Sequence, residues 1–344
     1  MANSTTPHSR REFLGRSVAG AIIAGAALAG TDALALAARP KQAPATRTIT
    51  PSATSSPAGP VSAFAIEIDQ AIAVFPISLE GGNFTADVVA AAAGTDGVSH
   101  KHLADVRPEE ISITFGTAVS RNLLDWIKSS LERHPVAKNG AIVFLGNDRR
   151  PVSRVEWLNA QISEVTFPAC SASAKDNSFI TLKILPEQIR TAPASLSSTS
   201  GVLPARPWQS SNFMLQIPGC DNSCKYASSI EALTVKFSSS GSGTGQVREY
   251  TKSSGSMSVA DLSVVLDFAR SDDFQQWQKS FEIQGQASLE KSGTLQYLGS
   301  DLKSTLLTLN FSGLGIYKLS PITGSAFEKV KAQMFCDSID LTYS

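Results

Sequence analysis

An excess of charge of either sign is absent from this sequence. Lys and Arg number 30, Asp and Glu number 30, and the formal net charge over 344 residues is zero. That balance excludes the basic footprint expected of a nucleic-acid binder and the polybasic patch of a protein held on an anionic membrane. Cysteine is also scarce. Cys170, Cys220, Cys224 and Cys336 are too few for a disulfide scaffold. The apolar run from Val18 to Gly30 falls short of the ~20 residues a membrane-spanning helix needs, so a stable membrane anchor is not expected. What is present is the composition of a globular chain: 42% hydrophobic and 17% charged residues, enough to build sizeable cores.

Motifs for chemistry are also missing. There is no G-x-S-x-G elbow and no H-E-x-x-H. Gly241 to Gly245 is glycine-rich but lacks the Walker lysine, and it does not lead from a strand into a helix. His100 and His102 would face one side of a strand, but only His134 joins them in the mature chain, and zinc usually takes three or four protein ligands. Cys220 and Cys224 lack a second half-site, so a small disulfide loop suits them better than a metal. Cys170 and Cys336 read as buried thiols. No catalytic set, cofactor site or metal site is expected.

The chain does contain a long internal repeat. Gly140 to Asp148 (GAIVFLGND) returns as Gly293 to Asp301 (GTLQYLGSD), at an offset of 153. Pro168 meets Pro321, and Phe179 to Lys183 meets Ala332 to Cys336, at the same offset. Trp126 meets Trp277, and Ile111-Ser-Ile-Thr-Phe meets Leu262-Ser-Val-Val-Leu, at 151; Phe64-Ala-Ile-Glu-Ile meets Phe213-Met-Leu-Gln-Ile at 149. An offset that grows in small steps is the mark of two homologous copies separated by short loop insertions, and a repeat this long is a domain. The expected organisation is a first domain over 61–190, a linker over 191–211 rich in Ser, Thr, Ala and Pro, and a second domain over 212–344.

The amino terminus reads as an address. Ser9-Arg10-Arg11-Glu12-Phe13-Leu14 matches the twin-arginine export motif, an apolar run follows, and Ala35-Leu36-Ala37 offers a cleavage site before Ala38. Residues 1–37 are therefore expected to be a signal peptide and 38–60 a flexible tether. The mature protein is expected to be periplasmic or extracellular.

Within each copy, alternation marks antiparallel strands. Phe64 to Asp69, Glu110 to Phe115, Phe213 to Ile217 and Leu262 to Phe268 are the clearest. Ser120 is placed to cap a helix carrying Leu123, Leu124, Trp126, Ile127 and Leu131, and Ser271 to Phe281 is its counterpart. Both tryptophans read as core anchors, and Asp148 and Asp301 sit where turns need them. Phe84 to Pro108 reads as a long loop or loosely held hairpin, and the Ser- and Gly-rich Ser238 to Met257 as a loop in its place. The fold class is mainly β, two tandem antiparallel sandwich or split-barrel domains with one packed helix each.

In order, FAIEID, ISLEGGNFTADVV, HKHLADVRPEEISITFG, LLDWIKSSL, GAIVF and WLNAQISEVTFPACSASAKDNSFITLKILPE resemble the tail tube proteins of contractile phages, the T4-like family related to the Hcp tube protein of type VI secretion. The resemblance covers most of Phe64 to Arg190. In the second copy Ser312-Gly313 stands for Asn159-Ala160, and the HKH segment is missing. It implies ring-forming domains whose sheet edges join a neighbour's, so the expected partner is the chain itself. Two domains per chain imply a trimer with pseudo-sixfold symmetry. The rings could stack into a tube through Phe84 to Pro108, with sheath- or baseplate-like proteins as further partners. Family tubes assemble in the cytoplasm without an export signal, so the signal here implies a repurposed ring or tube protein beyond the cytoplasmic membrane. The competing reading is a secreted β-sandwich module that binds a cell-wall or carbohydrate ligand.

Overall fold

Alternation along the chain becomes strand pairing almost everywhere. A computed structural model describes residues 61–343 apart from 93, 94, 96, 198–201, 203–207, 245–248, 286–289 and 323–328. The export motif, the cleavage site and the tether lie outside the described residues. The fold is mainly β, with a nearly closed, barrel-like sheet.

The first copy runs β1 (Val61–Ile68), β2 (Ala71–Val74), β3 (Ser78–Glu80), the hairpin β4 (Phe84–Ala90) and β5 (Lys101–Pro108), β6 (Ile111–Phe115), α1 (Arg121–Leu131), β7 (Lys138–Gly146), β8 (Pro151–Phe167), β9 (Cys170–Ser171), β10 (Ile180–Leu185) and β11 (Gln188–Ala192). The second runs β12 (Phe213–Gln216), the single turn α2 (Asp221–Cys224), β13 (Ala227–Ile230), the hairpin β14 (Leu233–Thr244) and β15 (Glu249–Val259), β16 (Leu262–Asp267), α3 (Asp272–Gln278), β17 (Lys291–Leu298), β18 (Thr305–Ile322) and β19 (Lys329–Tyr343). Sheet order is β2-β1-β7-β8-β10-β6-β3 in one and β12-β17-β18-β19-β16-β13-β9 in the other, antiparallel throughout. Element for element, the series β1-β7-β8-β10-β6-β3 and β12-β17-β18-β19-β16-β13 are one topology used twice.

Strand register refines the repeat. Gly140 faces Trp157 and Gly293 faces Phe311, so β7 and β17 differ by 153 and β8 and β18 by 154. The extra residue enters at the turn after the repeated glycines: Gly146 N–H reaches Arg150, whereas Gly299 N–H reaches Ser304. Asn159 therefore matches Gly313 rather than Ser312. Both have positive φ, 50° and 66°, where Asn and Gly are the residues best tolerated. The expected match of Phe179–Lys183 with Ala332–Cys336 is corrected. Ile111 pairs with Ile184 and Leu262 with Met334, so Ile180–Ile184 corresponds to Val330–Met334, an offset of 150. The long alternation of β19, compatible with several registers, allowed a false alignment. The Ser- and Gly-rich stretch expected as a loop is instead largely strand, in β14 and β15.

Packing explains the repeated residues. A Cβ on Gly140 would lie 2.2 Å from the Glu67 carbonyl oxygen and 2.3 Å from the Trp157 ring, so only glycine fits beneath that indole. Ser120 Oγ accepts the Leu123 N–H at 3.3 Å and starts α1. Trp126 is buried and its Nε1 donates to the Val136 carbonyl at 2.7 Å. Trp277 is buried at the matching position, on a helix of seven residues that continues as a π turn, Lys279–Ile283.

Candidate assembly surface

The two copies are joined by strand pairing as well as by the chain. The hairpin strand β14 adds to β8, with Leu233 opposite Phe167, Thr234 opposite Thr166, Val235 opposite Val165 and Lys236 opposite Glu164. The apolar members of that ladder are buried, Val235 completely. Thr166 Oγ1 and Thr234 Oγ1 share a hydrogen bond of 3.0 Å, and Lys236 Nζ lies 3.7 Å from Glu164. Nearby, β9 of the first copy caps β13, the edge strand of the second. Tyr297 Oη donates to the Pro168 carbonyl at 3.0 Å, and Trp208 meets the Tyr297 ring edge-on at 5.1 Å. Helix α1 lies against β19, and Tyr343 Oη donates to Asp125. The result is a seam with an apolar centre and hydrogen-bonded flanks.

The counterpart of each side of the seam is open. In the first copy the hairpin β4–β5 forms a two-stranded sheet of its own. Phe84 is 54% exposed and Leu103 68%, with Val88 and Val89 also outward. In the second copy, β17 leaves β18 at Leu314, and beyond it β18 pairs among the described residues with β19 alone. Lys318 is exposed and Leu319 half-buried there, where Glu164 and Val165 lie under β14 in the first copy. Unpaired strand edges of this kind are templates for further pairing.

The stretch expected to link the domains is pinned at both described ends. Glu67, with no exposed surface, accepts Arg154 Nη1 at 2.6 Å and the Ser197 N–H at 2.6 Å; Arg154 also donates to the Ser195 carbonyl at 3.3 Å. Leu196 packs beside Ala65, Ala141, Val143 and Leu145. Glu156 bridges Arg154 and Arg190 at 3.0 and 2.8 Å, and these guanidiniums hold its carboxyl below the usual range. A cleft of about 390 Å³ adjoins this cluster, and the charged side chains that line it are largely paired with one another. At the matching positions of the second copy stand Gln216, Thr308, Asn310 and Asp340.

Other residues singled out from sequence are dispersed. His100 and His102 are exposed beside β4, and among the described residues no group of three His, Cys, Asp or Glu could hold a metal. Cys220 and Cys224 are free, buried thiols, as are Cys170 and Cys336. Burial pushes Cys170, Cys220 and Cys224 up to about 12 and Cys336 to about 11, which makes them poor nucleophiles. Gly241 to Thr244 lie in β14. Asp148 and Asp301 hold turns, accepting the Arg150 N–H in one copy and those of Lys303 and Ser304 in the other. Among the described residues no helix is long and apolar enough to cross a membrane. The pairing of β14 with β8 was missed from sequence. The alternation of Leu233, Val235 and Phe237 marks a strand with one buried face, but a strand carries no label for its partner.

No protein-family model and no curated protein matches the chain. Solved structures do. The chain is similar to tube proteins of contractile injection systems. One is a chain of the sheath-tube complex of the extracellular contractile injection system PVC in its extended state, at 18% identity and a TM-score of 0.34, covering 40% of this chain and 92% of that one. Another belongs to the PVC sheath/tube terminator, at 19% identity and 0.33, covering 39% and 96%. Hcp1 from Flavobacterium johnsoniae is similar over 38% of this chain and 95% of its own, at 14% identity and 0.24.

Proposed function

We propose that this chain is a self-assembling structural protein, a ring or tube component that acts by shape and carries no catalysis. The observation behind this reading is the seam between the copies. Its two sides recur in each chain, and among the described residues one of each is left uncovered: the hairpin of the first copy and the free length of β18. A contact whose two sides lie on different faces of one molecule is heterologous, so it propagates, into a ring where the rotation closes and into an open filament where it does not. The sequence resemblance to tail tube proteins favours the same role. Closure at three chains, giving six copies around a channel, is the expected stoichiometry. The twin-arginine motif puts this assembly beyond the cytoplasmic membrane, with sheath- or baseplate-like proteins as candidate partners and stacking of rings as a further step.

The test is electron microscopy and mass measurement of the protein purified without residues 1–37. Closed rings, or tubes of one ring's width, are expected. A monomer that stays dispersed at high concentration overturns the reading. If such a monomer also pulls down wall material, the binding-module alternative takes its place.

A further inference from the structure

We infer that strand β4 of one chain pairs with the free length of β18 in a second copy, with Phe84 opposite Leu319 and Asn83 opposite Ser320. This rests on the assembly reading and names the contact that performs it. The register of the seam already inside the chain sets this pairing. On the hairpin side, Val235 pairs with Val259 and Phe84 with Pro108; the Ala260 N–H reaches the Thr234 carbonyl at 2.9 Å, and the Glu109 N–H reaches the Asn83 carbonyl at 2.7 Å. Phe84 therefore occupies the place of Val235, and Asn83 that of Thr234. On the receiving side, Leu182 pairs with Val165 and Ala332 with Leu319, and both strands slip register at the same point, between Lys183 and Ile184 and between Ile316 and Lys318. Leu319 therefore occupies the place of Val165, and Ser320 that of Thr166.

Chemistry follows the register. The buried pair Val235–Val165 becomes Phe84–Leu319, which removes the ring of a half-exposed phenylalanine and the rest of a half-buried leucine from water. The hydrogen-bonded pair Thr234–Thr166 becomes Asn83–Ser320, again a donor and an acceptor. The ion pair Lys236–Glu164 becomes Thr85–Lys318 and loses its attraction. The remaining pair, Leu233–Phe167, becomes Gly82–Pro321, so the intermolecular seam keeps one of the two apolar pairs and the polar flank and drops the charge pair. This assigns the base of the β4–β5 hairpin to a lateral neighbour.

The experiment is cysteine cross-linking in the full mature chain. The variant carrying Asn83→Cys and Ser320→Cys is oxidised, beside a control carrying Thr166→Cys and Thr234→Cys, whose bond lies within one chain. The four native thiols are buried and give a low background in the unmodified protein. Reductant-sensitive species of two and three chains are expected from the double variant, and dimers alone from a mixture of the two single variants. If light scattering finds an oligomer and the control bond forms, but Asn83→Cys and Ser320→Cys do not link chains, the pairing is overturned and the assembly reading stands. If Asn83→Cys links to itself, the contact is symmetric and the pairing is overturned. If no oligomer is found, both fail.

Discussion

The hairpin of the second copy is seated on β8, while the matching hairpin of the first copy stands as a sheet of two strands, although both leave the body at the same point and close with the same backbone hydrogen bond. Their sequences differ in the direction that this predicts only in part. The seated hairpin presents Leu233 and Val235 to the receiving strand, and the unseated one presents Gly82 and Phe84, then continues outward through Val88 and Val89. An apolar, exposed strand of this kind is an aggregation hazard unless something covers it. The exposed apolar side chains of the first hairpin are therefore the ones that the proposed seam would cover.

The comparison is broken most severely at its centre. Val235→Asp places a charge in a completely buried site and is expected to cost about 4 kcal/mol or more in urea unfolding. Phe84→Asp at the matching position should change the stability of dilute monomer by no more than about 0.5 kcal/mol, and should abolish the oligomer in light scattering. Equal destabilisation by both would end the distinction between a filled and an open seam.

Next comes the clamp on the stretch after β11, which among the described residues only the first copy has. Glu67→Gln leaves Arg154 with a weakened partner in a buried place and is expected to cost about 3 kcal/mol by the same unfolding measurement. Gln216→Glu at the matching place meets no arginine clamp and should be near neutral. A smaller effect is expected at the helix. Ser120→Ala removes the cap on α1 and should cost about 1 kcal/mol.

The smallest effect is the pH dependence of the second turn. Backbone and side-chain hydrogen bonds from Ser304, with the Lys303 N–H, hold the Asp301 carboxyl down at about 2. A carboxylate depressed in the folded state stabilises it above its ordinary value near 3.8, and loses that contribution as pH falls toward 2. NMR titration of the Asp301 carboxyl should give a midpoint near 2, and Asp301→Asn should flatten this part of the acid limb. A midpoint near 3.8 would show the turn to be open in solution.

Much of the architecture was legible because the chain repeats itself. Gly140 and Gly293, Trp126 and Trp277, and Asp148 and Asp301 each answer a local steric or hydrogen-bonding demand, so they recur wherever the same backbone recurs. The alternation in Ile111–Phe115 and Leu262–Asp267 likewise reports one buried face. Alignment slipped where that local demand is weak, as along β19, whose long alternation is compatible with several registers. The seam was illegible for another reason. Its residues are ordinary strand residues, and their partners lie roughly 70 positions away, a separation that pairing chemistry such as Thr166 with Thr234 does not encode. Serine and glycine in β14 and β15 misled in the opposite sense, because composition suggested a loop where backbone hydrogen bonding makes strands.

Strand β8 has a consequence for how such a chain evolves. It carries β7 and then β14 along one side, and β11 and β10 along the other, so its last four residues, Glu164 to Phe167, belong to an interface that the peptide bond has made permanent. A contact inside one polypeptide never has to survive dilution. Drift and selection would then be free to retune the proposed intermolecular contact alone, toward faster exchange or a new partner, while the covalent half keeps its geometry.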